Sequence, residues 1–186
     1  MKMIRREPRP PRRVVPVLAP ITEEEAAAAE VNGAGIILYT MWKGTPYFLL
    51  LKNKWGRRFW GFAKGHIDIE DGGNHLRAAL REVEEETKFT SDIITLRGDG
   101  GPVGRVMYRL DRPTRRIPSG IKHIEFFLGE VTRTDNPNKP FRFPELSKEH
   151  VSFVWQPYQM AVNALPPEMQ GILRQVYTDM IRARRN

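Results

Sequence analysis

A glycine-containing turn followed by a helix dense in carboxylates, residues 65–87, is the feature that most constrains how this chain folds. At about 100° per residue, Glu85 and Glu86 fall within about 60° on either side of Glu82, in one arc of the helix. The less polar side lies well away from that arc and comprises Leu76, Leu80, Val83 and Thr87. The pattern therefore predicts an amphipathic helix with its acids facing outward. Carboxylates on adjacent turns repel one another, and a divalent cation that prefers hard oxygen ligands would relieve the repulsion.

The acids alone leave a solvated helix face and a cation site about equally favoured, because glutamate-rich faces are common. The surrounding residues decide between them, because Arg81-Glu82-Val83-Glu84-Glu85-Glu86 after a Lys64-Gly65-His66 turn resembles the signature of the Nudix hydrolases. That signature reads Gly, five residues, Glu, seven residues, Arg-Glu, an aliphatic residue, any residue, Glu-Glu, any residue, Gly and an aliphatic residue. Its helical half is matched at Arg81, Glu82, Val83, Glu85 and Glu86, with Phe89 as the final apolar residue.

The loop half of the signature departs from the family pattern. Counting back from Arg81 places the first Glu of the pattern on Gly73 and its opening Gly on Ile67. We therefore predict a loop two residues longer than usual, which opens at Gly65. Either Glu70 or Asp71 is then available in place of the missing acid.

A second departure lies at the end of the helix. Lys88 stands where the family has the glycine that ends the helix in a left-handed conformation. A lysine in that conformation costs about 1 kcal/mol. The three helix carboxylates are unaffected by either departure.

Segments outside the signature narrow the resemblance to the asymmetric diadenosine tetraphosphate hydrolase branch of the family. They are residues 31–39, 47–52, 59–66, 122–131 and 146–155, the last of which contains a Ser-Lys-Glu-His motif. The similarity runs from about Val31 to the final helix, with Ala63 where that branch usually has proline. The resemblance implies an α/β Nudix fold, an α/β/α sandwich with a mixed central sheet. It also implies hydrolysis of diadenosine tetraphosphate to ATP and AMP with Mg²⁺, or Mn²⁺, as cofactor.

The resemblance assigns acidic residues to the cation and the attacking water. The implied metal ligands are the Gly65 carbonyl oxygen, Glu82, Glu85 and Glu86. Glu149 supplies a further acid from a distant loop, either as ligand or as general base, and the choice of base between Glu82 and Glu149 stays open. Arg81 is expected to orient the cluster through Glu85, four residues further along.

Substrate contacts follow from cations and aromatic rings. Lys64, His66 and Lys122 correspond to positions that face phosphates, although each alone could be an ordinary surface residue. An adenine needs a flat apolar surface. Candidates are Tyr108, Phe153 and Tyr158, while Trp60 and Trp155 are expected in the core. The cluster Arg112, Arg115 and Arg116 either closes over a nucleotide, contacts RNA phosphates or simply solubilises its loop.

Hydrophobic periodicity predicts the remaining elements. Strands are expected near 32–41, 46–52, 59–62, 91–97, 104–110, 122–132 and 151–155. Helices are expected after Thr22, from Asn74 to Thr87, over 156–164, and from Glu168 to about Arg182. With 186 residues, 40% of them hydrophobic, the chain suits one domain with a genuine core. Cysteine is absent, which excludes disulfides and thiolate metal sites.

The net charge of +8 is concentrated at the two ends of the chain. Residues 1–21 carry a formal charge of +5 and contain five prolines, which block a stable helix. We predict a flexible basic arm over 1–21 and a Nudix domain over 22–186. A solvated arm is favoured over an RNA-touching tail or an organelle presequence, since a presequence needs an amphipathic helix.

Two alternatives to the dinucleotide substrate remain. Removal of pyrophosphate from the 5′ end of RNA is similar chemistry, with the basic termini holding the RNA backbone. A non-catalytic Nudix-like module in an RNA or ribosomal assembly is the second, although intact clustered acids argue against it. No apolar run approaches the roughly 18 residues of a membrane span. We expect a cytoplasmic protein, with organellar import as an alternative, and the oligomeric state is not indicated.

Overall fold

The computed structural model describes residues 19–54, 59–110, 112–134, 136 and 139–184. The strands are β1 (Gly33–Trp42), β2 (Thr45–Asn53), β3 (Trp60–Gly61), β4 (Ala63–His66), β5 (Ile94–Leu96), β6 (Gly104–Arg109), β7 (Ile121–Val131) and β8 (His150–Pro157). The helices are α1 (Glu23–Ala28), α2 (His75–Thr87), α3 (Tyr158–Ala164) and α4 (Pro167–Ala183). No helix among these residues is both long and apolar enough to cross a membrane.

All eight strands form one mixed sheet around β1. One edge of β1 is shared, because its first half pairs antiparallel with β4 and its second half with β2. Its other edge pairs in parallel with β7, beginning at Gly33 opposite Ile124. Beyond these, β2 carries β3 and β8, and β7 carries β5 and β6, all antiparallel. The predicted mixed sheet is therefore confirmed.

Each face of the sheet packs against helices, as strands buried on both faces require. On one face, Ile37, Phe48 and Phe126 pack with α3 and α4 through residues such as Leu173. On the other, Ile36, Leu49 and Phe127 pack with Ala79 and Val83 of α2. This layering confirms the expected α/β/α sandwich.

The acid-bearing helix α2 begins and ends where the sequence predicts. Asn74 caps it by accepting from the Arg77 backbone N–H over 3.0 Å. Lys88 ends it in a left-handed conformation, φ 60°, and donates its N–H to the Glu84 carbonyl. The expectation that the acids face outward is wrong in part, because Glu86 is only 6% exposed. Glu82 and Glu86 lie against the protein, at Gly65 and Lys64 of β4, whereas Glu85 is exposed as predicted.

The residue before β1 joins the elements that form the candidate site. The Asn32 side chain donates to the Ile121 carbonyl over 2.9 Å and accepts from the His123 N–H over 3.1 Å. Its own carbonyl lies 3.4 Å from the Ile67 amide nitrogen. Neighbouring parallel strands begin at the same end of a sheet, so β1 and β7 both start beside the loop that leads to α2.

The N-terminal region is anchored at the end of β6. Thr22 and Glu25 form a capping box at the start of α1, as the sequence suggests. Arg109 donates to the carbonyls of Ala19 and Pro20 and pairs with Glu25 over 2.6 Å. Residues 1–18 of the predicted arm lie outside the described residues.

Several predicted boundaries differ from the structure. The strand predicted at 59–62 is confined to Trp60–Gly61, and Ala63–His66 forms a further strand that was not predicted. Strand β8 continues to Pro157, opposite Tyr47, so that α3 starts at Tyr158 rather than at residue 156. Strand β5 is confined to Ile94–Leu96, because a 3₁₀ turn at Ser91–Ile93 precedes it.

Candidate active site

Arg81 lies at the centre of a network of acids. Its Nε donates to Asp71 Oδ1 over 3.2 Å and its Nη2 to Asp71 Oδ2 over 2.9 Å. Its Nη1 donates to Glu82 over 3.0 Å and to Glu85 over 3.1 Å. Nη2 also reaches the His66 carbonyl over 2.9 Å. One guanidinium thus fixes the loop, the preceding strand and two helix acids relative to one another.

The structure selects Asp71 over Glu70 as the loop acid. Asp71 is 2% exposed, and it accepts from the Asp68 N–H over 2.8 Å in addition to Arg81. Hydrogen bonds from Arg81 keep the pKa of Asp71 below its usual range. Glu70 is exposed. The chain turns at Gly72 and Gly73, both at positive φ, and this turn accommodates the longer loop.

Glu82 packs directly on Gly65. A Cβ at residue 65 would lie 2.0 Å from the Glu82 carboxylate, so only glycine allows this approach. Burial raises the pKa of Glu82 to about 7, against the lowering effect of Arg81, and Glu86 and Glu85 raise it further. Burial therefore disfavours the charged form of this carboxylate in the metal-free protein.

A cavity of about 790 Å³ lies in front of these groups. Four acids line it: Asp68, Glu82, Glu85 and Glu149. Six basic or titratable residues face them: Lys64, His66, Arg81, Arg115, Arg116 and Lys122. Of the residues singled out from sequence, the structure brings Gly65 and Tyr108 here as well. It does not bring Glu86 or Phe153 to the cavity wall.

Glu86 is directed away from the cavity, into the protein. Its Oε2 accepts the Lys64 backbone N–H over 3.0 Å. Its Oε1 lies 3.0 Å from His150 Nε2, at an angle outside hydrogen-bond geometry. The two side chains are 8% and 3% exposed. A ligand role for Glu86 therefore stays a prediction.

The basic side chains that line the cavity lower one another's pKa. Burial lowers the pKa of Lys122 to about 8, and Lys64 and Arg116 lower it further. Burial, with Lys122 and Arg116, also lowers the pKa of His66. Lys122 is accommodated by Gly33, where a Cβ would lie 3.0 Å from its Nζ and 2.7 Å from the Gly65 carbonyl oxygen. Such crowding of positive charge favours a polyanionic ligand.

The arginine-rich loop before β7 forms one wall of the cavity. Arg116 pairs with Asp68 over 3.2 Å and so links this loop to the loop before α2. Thr114 and Arg115 also line the cavity, whereas Arg112 does not. Three interpretations of this arginine cluster were open. The position of Arg115 and Arg116 at the cavity wall favours those in which the loop contacts a bound ligand.

A second cavity, of about 270 Å³, adjoins the first. The two share Lys64, Tyr108 and Leu110, and the second has flat walls from Phe59 and Trp60. Trp60, expected in the core, therefore also faces a cavity. Tyr108 lies where both cavities meet.

Two other aromatic candidates lie elsewhere. Phe153 packs edge-to-face on Phe143 with ring centroids 5.7 Å apart, on the α2 side of the sheet. Tyr158 stacks on Tyr177 with ring centroids 3.9 Å apart. Trp155 stacks on Phe141, in agreement with its expected packing role. The stacking role of Phe153 stays a prediction that this geometry does not favour.

A NUDIX domain model matches residues 30–180. The chain belongs to the NUDIX family.

Relatives of this NUDIX chain place it within one branch. It is 27% identical over 145 residues to the asymmetrical bis(5′-nucleosyl)-tetraphosphatase of Caenorhabditis elegans, across 77% of this chain and 92% of that protein. It is 34% identical over 112 residues to the Rattus norvegicus protein of the same name, across 60% of this chain and 64% of that one. The predicted resemblance to this branch, and to an enzyme of its type, is confirmed.

A solved structure supports the same placement. A crystal structure of a C. elegans Ap4A hydrolase binary complex superposes with a TM-score of 0.66 at 25% identity. The match covers 82% of this chain and 98% of that one. The NUDIX domain of Shewanella oneidensis NrtR, at 16% identity and a TM-score of 0.58, shares the fold.

The donor set of this NUDIX site fits a hard divalent cation. Glu82, Glu85 and Glu149 offer carboxylate oxygens to one cavity, and a cation would stabilise the charged form of Glu82, which burial disfavours. Within the described ranges, no three acidic or histidine side chains are already close enough to hold an ion together. Arg81 takes up one oxygen of both Glu82 and Glu85, so cation binding requires these side chains to adjust.

Sequence reasoning missed two residues that organise the NUDIX site. Asn32 holds the starts of β1 and β7 together, and His150 contacts Glu86. An asparagine beside a strand carries no distinctive signal. His150 does belong to the Ser-Lys-Glu-His motif, but within that motif the sequence predicted a functional role only for Glu149.

Proposed function

We propose that this NUDIX chain hydrolyses a phosphoanhydride bond of a nucleoside polyphosphate in the presence of Mg²⁺, or Mn²⁺. Diadenosine tetraphosphate is the proposed substrate, with ATP and AMP as products. The observation that carries the proposal is the meeting of acids and cations in one cavity, which adjoins a second cavity with aromatic walls. The relatives named for this reaction support the choice of substrate.

A bound divalent cation would neutralise phosphate charge and make the attacking water more acidic. The residues proposed to hold it are Glu82, Glu85 and Glu86, with the Gly65 carbonyl oxygen. Arg81 keeps two of these acids oriented, and Asp71 keeps Arg81 in place. The cluster is thus built on one helix and supported from the loop before it.

The phosphates are proposed to bind among Lys64, His66 and Lys122, which line the same cavity. Lysine ammonium groups act on phosphates as point charges, and the absence of a side chain at Gly65 allows the backbone to come close. Arg115 and Arg116, from the opposite wall, add positive charge where an outer phosphate would lie.

Hydrolysis adds water across a P–O–P bridge. The water oxygen bonds to phosphorus, the bridging oxygen leaves with the other phosphate, and the water proton passes to a carboxylate. Both Glu82 and Glu149 line the cavity. Burial raises the pKa of Glu82 to about 7 in the metal-free protein, and a bound cation would lower it again, so both carboxylates remain candidates for the base. A Glu149→Gln variant that keeps a few per cent of activity would favour Glu82 as the base.

One adenine is proposed to bind in the smaller cavity. Tyr108, Phe59 and Trp60 provide its flat surfaces, and Tyr108 also borders the phosphate cavity. Stacking on such rings contributes about 1–3 kcal/mol per base.

The test is hydrolysis of diadenosine tetraphosphate with Mg²⁺, with products separated by chromatography, beside a Glu85→Gln control. ATP plus AMP from the wild type, abolished by Glu85→Gln, would support both the reaction and the site. Two molecules of ADP would contradict the asymmetric cleavage. No turnover by folded protein would exclude this substrate.

A second candidate, removal of pyrophosphate from the 5′ end of RNA, is favoured by the anchor at Arg109. That residue borders the smaller cavity and holds Ala19 and Pro20, so the described part of the chain begins beside the site. Deletion of residues 1–13 is then expected to reduce activity on triphosphorylated RNA and to leave dinucleotide hydrolysis intact. Equal loss on both substrates would count against this candidate.

A further inference from the structure

We infer that His150 is a positioning residue, which holds the Glu86 carboxylate and the Glu149 loop in the arrangement that the cation needs. The inference rests on the metal role given to Glu86 in the proposed function. Neither the helix signature nor the cavity contains His150.

The two oxygens of Glu86 have one neighbour each. Oε2 accepts the Lys64 N–H over 3.0 Å, and Oε1 lies 3.0 Å from His150 Nε2. Both side chains are buried, at 8% and 3% exposure, so water does not compete for these positions. A carboxylate held at both oxygens has little freedom to rotate, which fixes the direction from which it can approach a cation.

The orientation of the His150 ring follows from its surroundings. Both ring nitrogens are buried and neither makes a hydrogen bond of regular geometry among the described residues, but Nε2 has an acceptor, Glu86 Oε1, 3.0 Å away. A neutral imidazole carries one proton, and placing it on Nδ1 would leave a buried donor without an acceptor. The proton therefore belongs on Nε2, which faces Glu86.

The backbone around His150 links the main chain of Glu86 to Glu149. The Ser147 N–H donates to the Glu86 carbonyl over 3.2 Å, and the His150 N–H donates to the Ser147 carbonyl over 3.2 Å. The Glu149 carbonyl accepts from the Lys54 N–H over 2.8 Å. His150 is the first residue of β8, so its side chain ties that strand to α2 directly after Glu149. Glu86 and Glu149, which are distant in sequence, are thus connected through the segment that contains His150.

The test compares His150→Leu, which removes the ring donor, with His150→Gln, which restores an N–H donor. His123→Leu serves as control, because His123 is similarly buried, with 6% of the residue exposed against 8% for His150, and its ring bonds the Ala29 carbonyl instead. Mn²⁺ affinity is measured by electron paramagnetic resonance. Supporting groups around metal ligands typically contribute about 10–100-fold in affinity, so a loss of that size is expected for His150→Leu alone.

A second readout uses the metal-free protein. The Lys64 amide is expected to exchange with deuterium faster in His150→Leu than in the wild type, and His150→Gln should restore protection. Unchanged Mn²⁺ affinity and unchanged Lys64 exchange in His150→Leu would overturn the inference, whatever happens to its Tm. Wild-type protein that binds no Mn²⁺ would instead contradict the proposed function, and Lys64 exchange would still decide whether His150 holds Glu86.

Discussion

Arg81 and Asp71 are joined by two contacts, of 3.2 and 2.9 Å, across a loop that is two residues longer than the family pattern. The acid has moved in sequence, yet it still reaches the arginine at the start of the helix signature. The extra residues are taken up by the turn at Gly72 and Gly73. A shifted acid therefore preserves the support for Glu82 and Glu85.

Replacement of Asp71 by Asn is expected to reduce kcat by about 10–100-fold, because Arg81 then loses a charged partner and no longer orients Glu82. The Tm should fall as well, since a buried pair is broken. Glu70→Gln is the matched control, because Glu70 is exposed, and it should behave as wild type. Steady-state kinetics and thermal unfolding check both variants. Equal effects at residues 70 and 71 would contradict the assignment.

A Gly65→Ala variant is expected to lose most activity while it keeps its fold. The new Cβ would lie 2.0 Å from the Glu82 carboxylate and must push it aside. The control is Gly171→Ala in α4, where no atom lies within 4 Å of the added Cβ. Kinetics and circular dichroism on the pair give the comparison. Full activity in Gly65→Ala would show that Glu82 does not need its present position.

Metal-free protein is expected to lose stability as the pH rises through about 7. The folded-state pKa of Glu82 is about 7 against an ordinary value of 4.5, so the folded protein binds the proton more tightly. This stabilisation is fully present below about pH 4.5 and lost above about pH 7. Glu82→Gln should therefore be more stable than wild type at about pH 8, by about 1–2 kcal/mol after solvent screening.

Urea unfolding with a chelator, followed from about pH 5 to about pH 8, measures the difference. Parallel curves for wild type and Glu82→Gln would contradict the raised pKa. Addition of Mg²⁺ should restore wild-type stability above about pH 7, because the cation replaces the proton.

Substrate binding is expected to weaken as Lys122 loses its proton. Its pKa lies at about 8, so its positive charge declines as the pH rises through that value. KM for the polyphosphate should then rise by about tenfold between about pH 7 and pH 9. Lys122→Arg keeps its charge over this range and should remove the rise. The same increase in Lys122→Arg would assign the effect to another group.

Lys88→Gly is expected to stabilise the protein by about 1 kcal/mol, because glycine adopts the left-handed helix end without strain. The corresponding rise in Tm is about 2–4 °C for a chain of this size. Lys88→Ala retains a Cβ and should bring no gain. A gain in both variants would point to the lysine charge rather than to its backbone at φ 60°. Differential scanning calorimetry distinguishes these outcomes.

The elements that sequence periodicity predicts well are those with strong local signals. Helix α2 has a capping asparagine, a clear apolar stripe and a defined end, and its bounds agree with the prediction. The outward direction of its acids could not be predicted in the same way. Helical angles place Glu82, Glu85 and Glu86 in one arc, but which part of that arc meets β4 depends on packing.

The sequence named Tyr108 among three aromatic candidates but gave no means of locating it, and it did not indicate a role for Asn32. The position of Tyr108 between two cavities results from the pairing of β6 with β7, and the support from Asn32 results from the parallel start of β1 and β7. Phe153 illustrates the opposite case. Its alternation within β8 places it on the α2 face, and an aromatic residue in a strand carries no sign of which face holds a ligand.

The parallel pairing of β1 with β7 has a practical consequence for experiments. Both strands begin beside Glu82 and Lys122, so the residues that the sheet contributes to the site lie at one end of these strands. The far end of β1, at Trp42, and the hairpin tip at Lys43 and Gly44 lie about nine residues away, or roughly 30 Å along the strand. A dye, an affinity handle or a surface tether placed at that tip would report on the molecule or immobilise it without obstructing turnover.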